Sequence, residues 1–300
     1  MFKVRVPAST ANLGPGFDCM GIALKLYCEA YFEQIDSGFE IQVANEGKDY
    51  IPQNENNLVY RSMNYLFGKL GKKLDGIRVK LDSQIPVTRG LGSSSAAIIA
   101  GLVGANTLLG NIFSEEDILY AAYEIEGHPD NVTPAFKGGF TVSVKDNKKI
   151  VYSKSNISEN IKFAAMMPDF YLPTKKSRSL LPEYTHLSNA TYNIARASLL
   201  SAAFSKGETD LFSVCFRDRI HQKHRFPHIR SGEYIIRAAK RFGACGGYIS
   251  GAGPTIMSVV CDNADEFKIN MEELIKTNLK NWRLVMLEAD NDGVITDKNI

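Results

Sequence analysis

Five cysteines are scattered through the 300 residues with no C-x-x-C pair among them. That argues against a disulfide framework or a zinc site and fits reduced packing thiols in a cytoplasmic protein better. Excess charge is equally absent. Thirty-five Lys and Arg against 33 Asp and Glu leave a net +2, so nothing points to nucleic acid as a partner. The longest apolar stretch, after Ser95, is broken at Asn106 and Thr107, short of the roughly 20 residues a membrane span requires. Arg5, Asn12 and Asp18 interrupt any apolar region near the start, so no secretory signal is expected. Internal repeats and low-complexity segments are missing too. What remains, 44% hydrophobic and 23% charged, is a globular chain long enough for one large domain or two smaller ones.

The densest motif runs through Pro86, Val87, Thr88, Arg89, Gly90, Leu91, Gly92, Ser93, Ser94, Ser95 and Ala96 into an aliphatic tail. Two glycines and three serines before helix-forming residues describe a tight loop feeding a buried helix. A helix start leaves about four N–H groups unpartnered and carries roughly half a positive charge, which suits a phosphate. The same residues also suit a serine-capped core helix. No Lys-Ser or Lys-Thr follows the last glycine, so a Walker geometry is excluded.

Alternation predicts a strand over Phe2–Val6 closed by Pro7, and composition predicts a loop from Ala8 to Asp18. Ile22–Ile35 reads as a strand with Phe39–Val43 as its hairpin partner, and Ile77–Leu81 as another. Asn57 caps a predicted helix that ends at Gly71, and Ser114 with Asp117 forms a capping-box signature for a helix to Glu126. A hairpin is expected over Asp146-Asn147, and the polar stretch 154–160 marks a boundary between units 1–155 and 156–300. The second unit is expected to hold a strand at Phe163–Met167, a basic loop at Thr174–Arg178 and helices at 188–206, 210–216, 232–242 and 264–277. A second glycine turn falls at Gly251–Thr255, and Leu284–Leu287 is the last strand. This alternation is an α+β pattern of the split β-α-β kind.

Three short motifs in order, Ala11–Asp18, Pro86–Ala97 and Gly251–Thr255, resemble those of the galactokinase, homoserine kinase, mevalonate kinase and phosphomevalonate kinase superfamily. Within it the chain is most similar to the homoserine kinases. The resemblance implies a two-lobed α+β small-molecule kinase fold. Its N-terminal half would be like ribosomal protein S5, with a left-handed βαβ unit against the usual handedness, and its C-terminal half ferredoxin-like. It also implies ATP bound by the Pro86–Ala96 motif, Mg2+ on Glu126 (Glu124 held in reserve) and Ser94, a cytoplasmic homodimer, and transfer of a phosphoryl group to L-homoserine for threonine biosynthesis.

By the same resemblance Asn12, Asp18, His128, Arg178 and Arg225 surround the amino acid, while Thr174 and Asn131 lie with Arg178 near the transferred group. The chemistry agrees: a carboxylate and an amide can hold an ammonium, and a guanidinium can grip a carboxylate bidentately. Magnesium needs a hard oxygen ligand beside the phosphates. Asp130 is a conceivable base, although the resembling pattern has Asn131 in that place. His221, His224 and His228, interrupted by Pro227, read as structural and not as zinc ligands. The competing readings are a mevalonate-pathway kinase or decarboxylase of the same fold, and a nucleotide-binding regulator without turnover.

Overall fold

The computed structural model describes residues 1–298. In chain order the first part forms β1 (Phe2–Ala11), β2 (Met20–Gln34), β3 (Phe39–Asn45), α1 (Leu58–Lys69), β4 (Ile77–Ser83), α2 (Ser93–Leu108), α3 (Glu115–Glu126), α4 (Pro129–Lys137), β5 (Phe140–Asp146) and β6 (Lys149–Ser155). Then follow β7 (Lys162–Pro168), α5 (Thr174–Ser179), α6 (Leu187–Lys206), α7 (Phe212–Cys215), α8 (Gln222–Arg225), α9 (Gly232–Arg241), β8 (Gly246–Ile249), β9 (Ile256–Val260), α10 (Ala264–Asn278), β10 (Trp282–Glu288) and β11 (Ile295–Asp297). Asn57 caps α1 by accepting from Val59 N–H, and Ser114 with Asp117 makes the full capping box of α3, as the side-chain chemistry of both starts requires.

The first sheet has the order β11-β1-β2-β4-β3, with β5 pairing both β2 and β6. The second has the order β10-β7-β9-β8 and is antiparallel throughout. Numbered within that sheet its order is 4-1-3-2, with α9 and α10 as the crossovers, which is the ferredoxin-like split β-α-β arrangement. Apolar side chains from both sheets, α2 and α6 merge, from Val4, Phe32 and Ile99 to Phe163, Phe204 and Tyr248. α2 is apolar almost all round and buried along most of its length, as a helix with no solvent face must be.

Several local expectations are corrected. β1 does not stop at Pro7: its register with β2 slips between Pro7 and Ala8 and then continues to Ala11, because a bulge accommodates a residue that cannot donate to the ladder. The loop therefore begins at Asn12, not Ala8. β3 is not the hairpin partner of β2 but runs parallel to β4. The stretch of β2 nearest β3 in sequence is already flanked by β1 and β4, so the more polar β3 takes the free edge. Thr174–Arg178 is helical and not a loop, and Leu284–Leu287 is not the last strand, since β11 returns to pair with β1. Residues 210–216 form a 3-10 turn (Thr209–Leu211) and the single turn of α7 in place of one helix.

Candidate active site

The loop between β4 and α2 is shaped by Gly90 (φ 78°) and Gly92 (φ 70°). A Cβ on Gly90 would meet the Ser250 carbonyl oxygen at 2.2 Å, and one on Gly92 the Ser9 hydroxyl at 2.0 Å, so both positions demand glycine for conformation and for space. The loop is tied to the Gly251 turn: Ser250 Oγ donates to Gly90 O at 2.5 Å and Thr255 N–H to Arg89 O at 3.3 Å. Gly92 is the N-cap of α2, and no side chain caps that helix, in contrast to α1 and α3. The serines lie inside its first turn. The arrangement is thus the uncapped, anion-accepting start and not the serine-capped helix.

A cleft of about 300 Å³ opens here. Pro86 to Gly90, Gly92, Ser93 and Ser94 form one wall, whereas Leu91, Ser95 and Ala96 turn into the interior. Tyr50, Ile51, Pro52 and Leu58 add an apolar wall. Sequence reasoning missed that wall, although an apolar triplet inside a polar loop was a usable signal. Glu126, His128, Asn131, Thr174 and Gly251 also line the cleft.

The two acids near the end of α3 have different partners. Glu126 accepts from Ser94 Oγ at 2.8 Å and from Ser95 Oγ at 2.9 Å, which sets a carboxylate and a hydroxyl together at the helix start. Such hard oxygen donors fit a magnesium ion. Glu124 faces the other way and is bound by Tyr65 and Lys69.

α4 begins at Pro129 with His128 as N-cap, a start that favours proline at the first helical position. His128 Nδ1 lies 2.6 Å from Asp130, and Asn131 donates to the same Asp130 oxygen at 3.3 Å while accepting from Ser9 Oγ at 2.9 Å. Burial alone would push the His128 imidazole down, but its hydrogen bond to Asp130 and the nearby carboxylates raise it above its ordinary value.

Arg178 reaches from α5 to Asp18 and grips both carboxylate oxygens, at 3.0 and 2.7 Å. Despite partial burial, this hydrogen-bonded charge pair raises the Arg178 pKa. Asp18, His128 and Asp130 bring ligand-type atoms within 4.8 Å of one another, so the Asp18 pair and the His128 pair form one cluster. Asn12, at φ 70°, donates to Gly251 O at 2.8 Å and accepts from Asp18 N–H at 3.0 Å, tying the first and third motifs together. Arg225 is 1% exposed, and among the described residues no carboxylate pairs with it. Burial, and then the charge of Arg178, lower its pKa to about 10.

The histidine segment holds no zinc set among the described residues. His221 is buried against Gly14 and Arg225, a connection between motifs that sequence reasoning did not foresee.

Residues 57–139 match the GHMP kinases N terminal domain, and residues 200–275 the GHMP kinases C terminal. A homoserine kinase of Caldicellulosiruptor saccharolyticus is 43% identical over 295 residues, covering 98% of this chain and 96% of its own. One of Clostridium botulinum (strain Loch Maree / Type A3) is 40% identical over 297 residues, covering 99% of each. The crystal structure of homoserine kinase from Cytophaga hutchinsonii superposes with a TM-score of 0.87 at 28% identity, over 98% of this chain and 96% of that one. With the uncapped helix start, the two glycine turns and this full-length similarity in hand, the chain belongs to the homoserine kinase family of the GHMP kinases.

Proposed function

We propose that the protein transfers the γ-phosphoryl group of ATP to the side-chain hydroxyl of L-homoserine, giving O-phospho-L-homoserine for threonine biosynthesis. The observation that carries the substrate is Arg225, a buried guanidinium with no anionic partner among the described residues, beside the Asp18–Arg178 pair. A buried unpaired charge is costly, and a ligand carboxylate relieves that cost. A substrate carrying both an ammonium and a carboxylate matches one carboxylate and two guanidinium groups.

In this reading the phosphates sit at the N-terminus of α2, with Pro86 to Gly90, Gly92, Ser93 and Ser94 around them, and the adenine lies against Tyr50, Ile51 and Pro52. Glu126 and Ser94 would hold Mg2+, which supplies countercharge to the phosphates when bound. Asp18, steadied by Asn12, takes the ammonium; Arg178 and Arg225 take the carboxylate. His128 and Asn131 orient the hydroxyl, and Thr174 at the start of α5 stands beside the group in transit. Phosphoryl transfer through a loose transition state asks mainly for alignment and countercharge, which this arrangement provides without a dedicated strong base.

We further read the chain as two lobes, 1–155 and 156–300, supported by the division of strands between the two sheets, with β11 crossing back to the first. A cytoplasmic setting is supported by five free cysteines, and no helix among the described residues is long and apolar enough to cross a membrane. A homodimer is supported by the family resemblance. An ADP-release assay on L-homoserine, mevalonate, phosphomevalonate and galactose tests the substrate: turnover should be confined to homoserine. Equal or greater activity on mevalonate overturns the reading, and ATP binding without turnover of any alcohol favours a regulator.

A further inference from the structure

Arg225 is held by an unusual pair of acceptors. Its Nη1 donates to Gly251 O at 2.9 Å and to His221 Nδ1 at 3.1 Å. Nη1 carries two hydrogens, so both are committed. Nε is buried without a partner, and among the described residues no hydrogen bond runs to Nη2. The Nε–Nη2 edge of this buried guanidinium is therefore left without a partner, and that edge is one of the two forks that can take a carboxylate bidentately.

His221 is 0% exposed, and its own protonation is dictated by its neighbours. Nε2 lies 2.7 Å from Gly14 O, a carbonyl that can only accept, so Nε2 carries the proton. Nδ1 faces an Arg225 N–H that can only donate, so Nδ1 is bare. The ring is neutral, and burial pushes its pKa down to about 4 against the opposing charge of Asp218. Asp218, 3.9 Å from Nε2, is itself engaged by the backbone N–H groups of Ile220, His221 and Gln222 and by Asn193. The Phe17 ring covers the imidazole at 5.1 Å between centroids. Gly14 and Phe17 belong to the same loop as Asp18.

We infer that His221 is a positioning residue for substrate binding: locked as the Nε2–H tautomer, it aims the Nε–Nη2 edge of Arg225 at the substrate carboxylate and anchors the loop that carries Asp18. This rests on the reading of Arg225 given above. One neutral ring thereby couples the two ends of the amino acid's binding site across 207 residues of sequence.

Steady-state kinetics on wild type, His221→Leu, His221→Gln, Arg225→Ala and the His221→Leu/Arg225→Ala double variant test it. Removing one hydrogen bond to a charged group should raise the homoserine KM of His221→Leu about tenfold to a hundredfold, with the ATP KM and kcat within about twofold. Glutamine retains one donor and one acceptor and should restore most of that loss. In the Arg225→Ala background the His221→Leu effect should largely vanish. A homoserine KM unmoved by His221→Leu, equal impairment by Leu and Gln, or full additivity in the double variant overturns the inference. Should His221→Leu not fold, nitrogen NMR of the wild-type ring decides: a proton on Nδ1 overturns the inference, and a bare Nδ1 supports it. The two readings separate cleanly, because an Arg225→Ala variant with unchanged homoserine KM refutes the role of Arg225 itself. Loss in Arg225→Ala with none in His221→Leu refutes only the role of His221.

Discussion

Replacing Asp18 by Asn separates binding from stability. Asp18 sits at φ 58°, a conformation that asparagine tolerates as well as aspartate, so the backbone has no reason to move. Its pair with Arg178 is bidentate, but the two side chains are 37% (Arg178) and 33% (Asp18) exposed. Solvent screening at that exposure limits the pair to about 0.2–1 kcal/mol of folding stability, a fall in Tm of about 2 °C or less. The same carboxylate meeting a substrate ammonium makes a charge-assisted contact worth roughly 1.5–3 kcal/mol. The homoserine KM should therefore rise between about tenfold and a hundredfold. The ATP KM should stay within about twofold, because the uncapped start of α2 is untouched. Thermal unfolding beside steady-state kinetics with each substrate varied in turn reads both quantities. A homoserine KM within twofold of wild type, or an ATP KM that rises in parallel, refutes the assignment of Asp18 to the ammonium.

Glu126→Gln should lower kcat/KM for MgATP roughly a hundredfold or more by removing metal countercharge, whereas Glu124→Gln should leave it within twofold; equal effects would sink the distinction between these acids. Gly90→Ala forces a side chain into the left-handed region at roughly 1–2 kcal/mol and against the Ser250 carbonyl. It should raise the ATP KM and lower Tm together, and an unchanged ATP KM would argue against this loop as the phosphate cradle. His221 is held at about 4 against an ordinary 6.5 by burial, so between those values the unfolded chain binds more protons than the native one and stability falls as pH falls. Urea midpoints at pH 6.5 and 4 should show a larger drop for wild type than for His221→Gln, and equal drops would contradict a buried neutral ring.

Much of the fold was legible wherever one residue's chemistry decides a local outcome. Asn57, and Ser114 with Asp117, announce helix starts through side-chain acceptors spaced to reach their own backbone. The polar turn at Asp146-Asn147 joins β5 and β6 as expected. Legibility failed where the outcome depends on distant partners. Nothing near Pro7 says that β2 will carry β1 onward through a bulge, and nothing near Phe39 says that β4 rather than β2 has the free edge. The short helix α4 was missed although Pro129 and Gly138 bracket it, because Gly127 and Pro129 read most simply as a stop. In the site, residue types could be matched to chemistry, but who holds whom could not: Asp18 and Arg178 are 160 residues apart, and the tie between Asn12 and Gly251 spans 239.

The Asp18–Arg178 pair also bears on selectivity, through a ligand that differs from homoserine by one group. 4-Hydroxybutanoate has the same chain, hydroxyl and carboxylate but no ammonium. A fully buried site built for a hydrogen-bonding group rejects an analogue lacking it by a large factor, because the protein's own polar group is left unpaired. Here Asp18 is spared that fate, since Arg178 already occupies both of its oxygens and stays with it when no ammonium arrives. The discrimination should accordingly be modest, about tenfold to a hundredfold in kcat/KM, the worth of one charge-assisted contact. It should collapse to within about threefold in Asp18→Asn, mostly by loss on homoserine and not by gain on the analogue. An Asp18→Asn enzyme that still prefers homoserine by the wild-type factor would show that the amino group is read by other residues, and that the pair with Arg178 serves only to join α5 to the first loop.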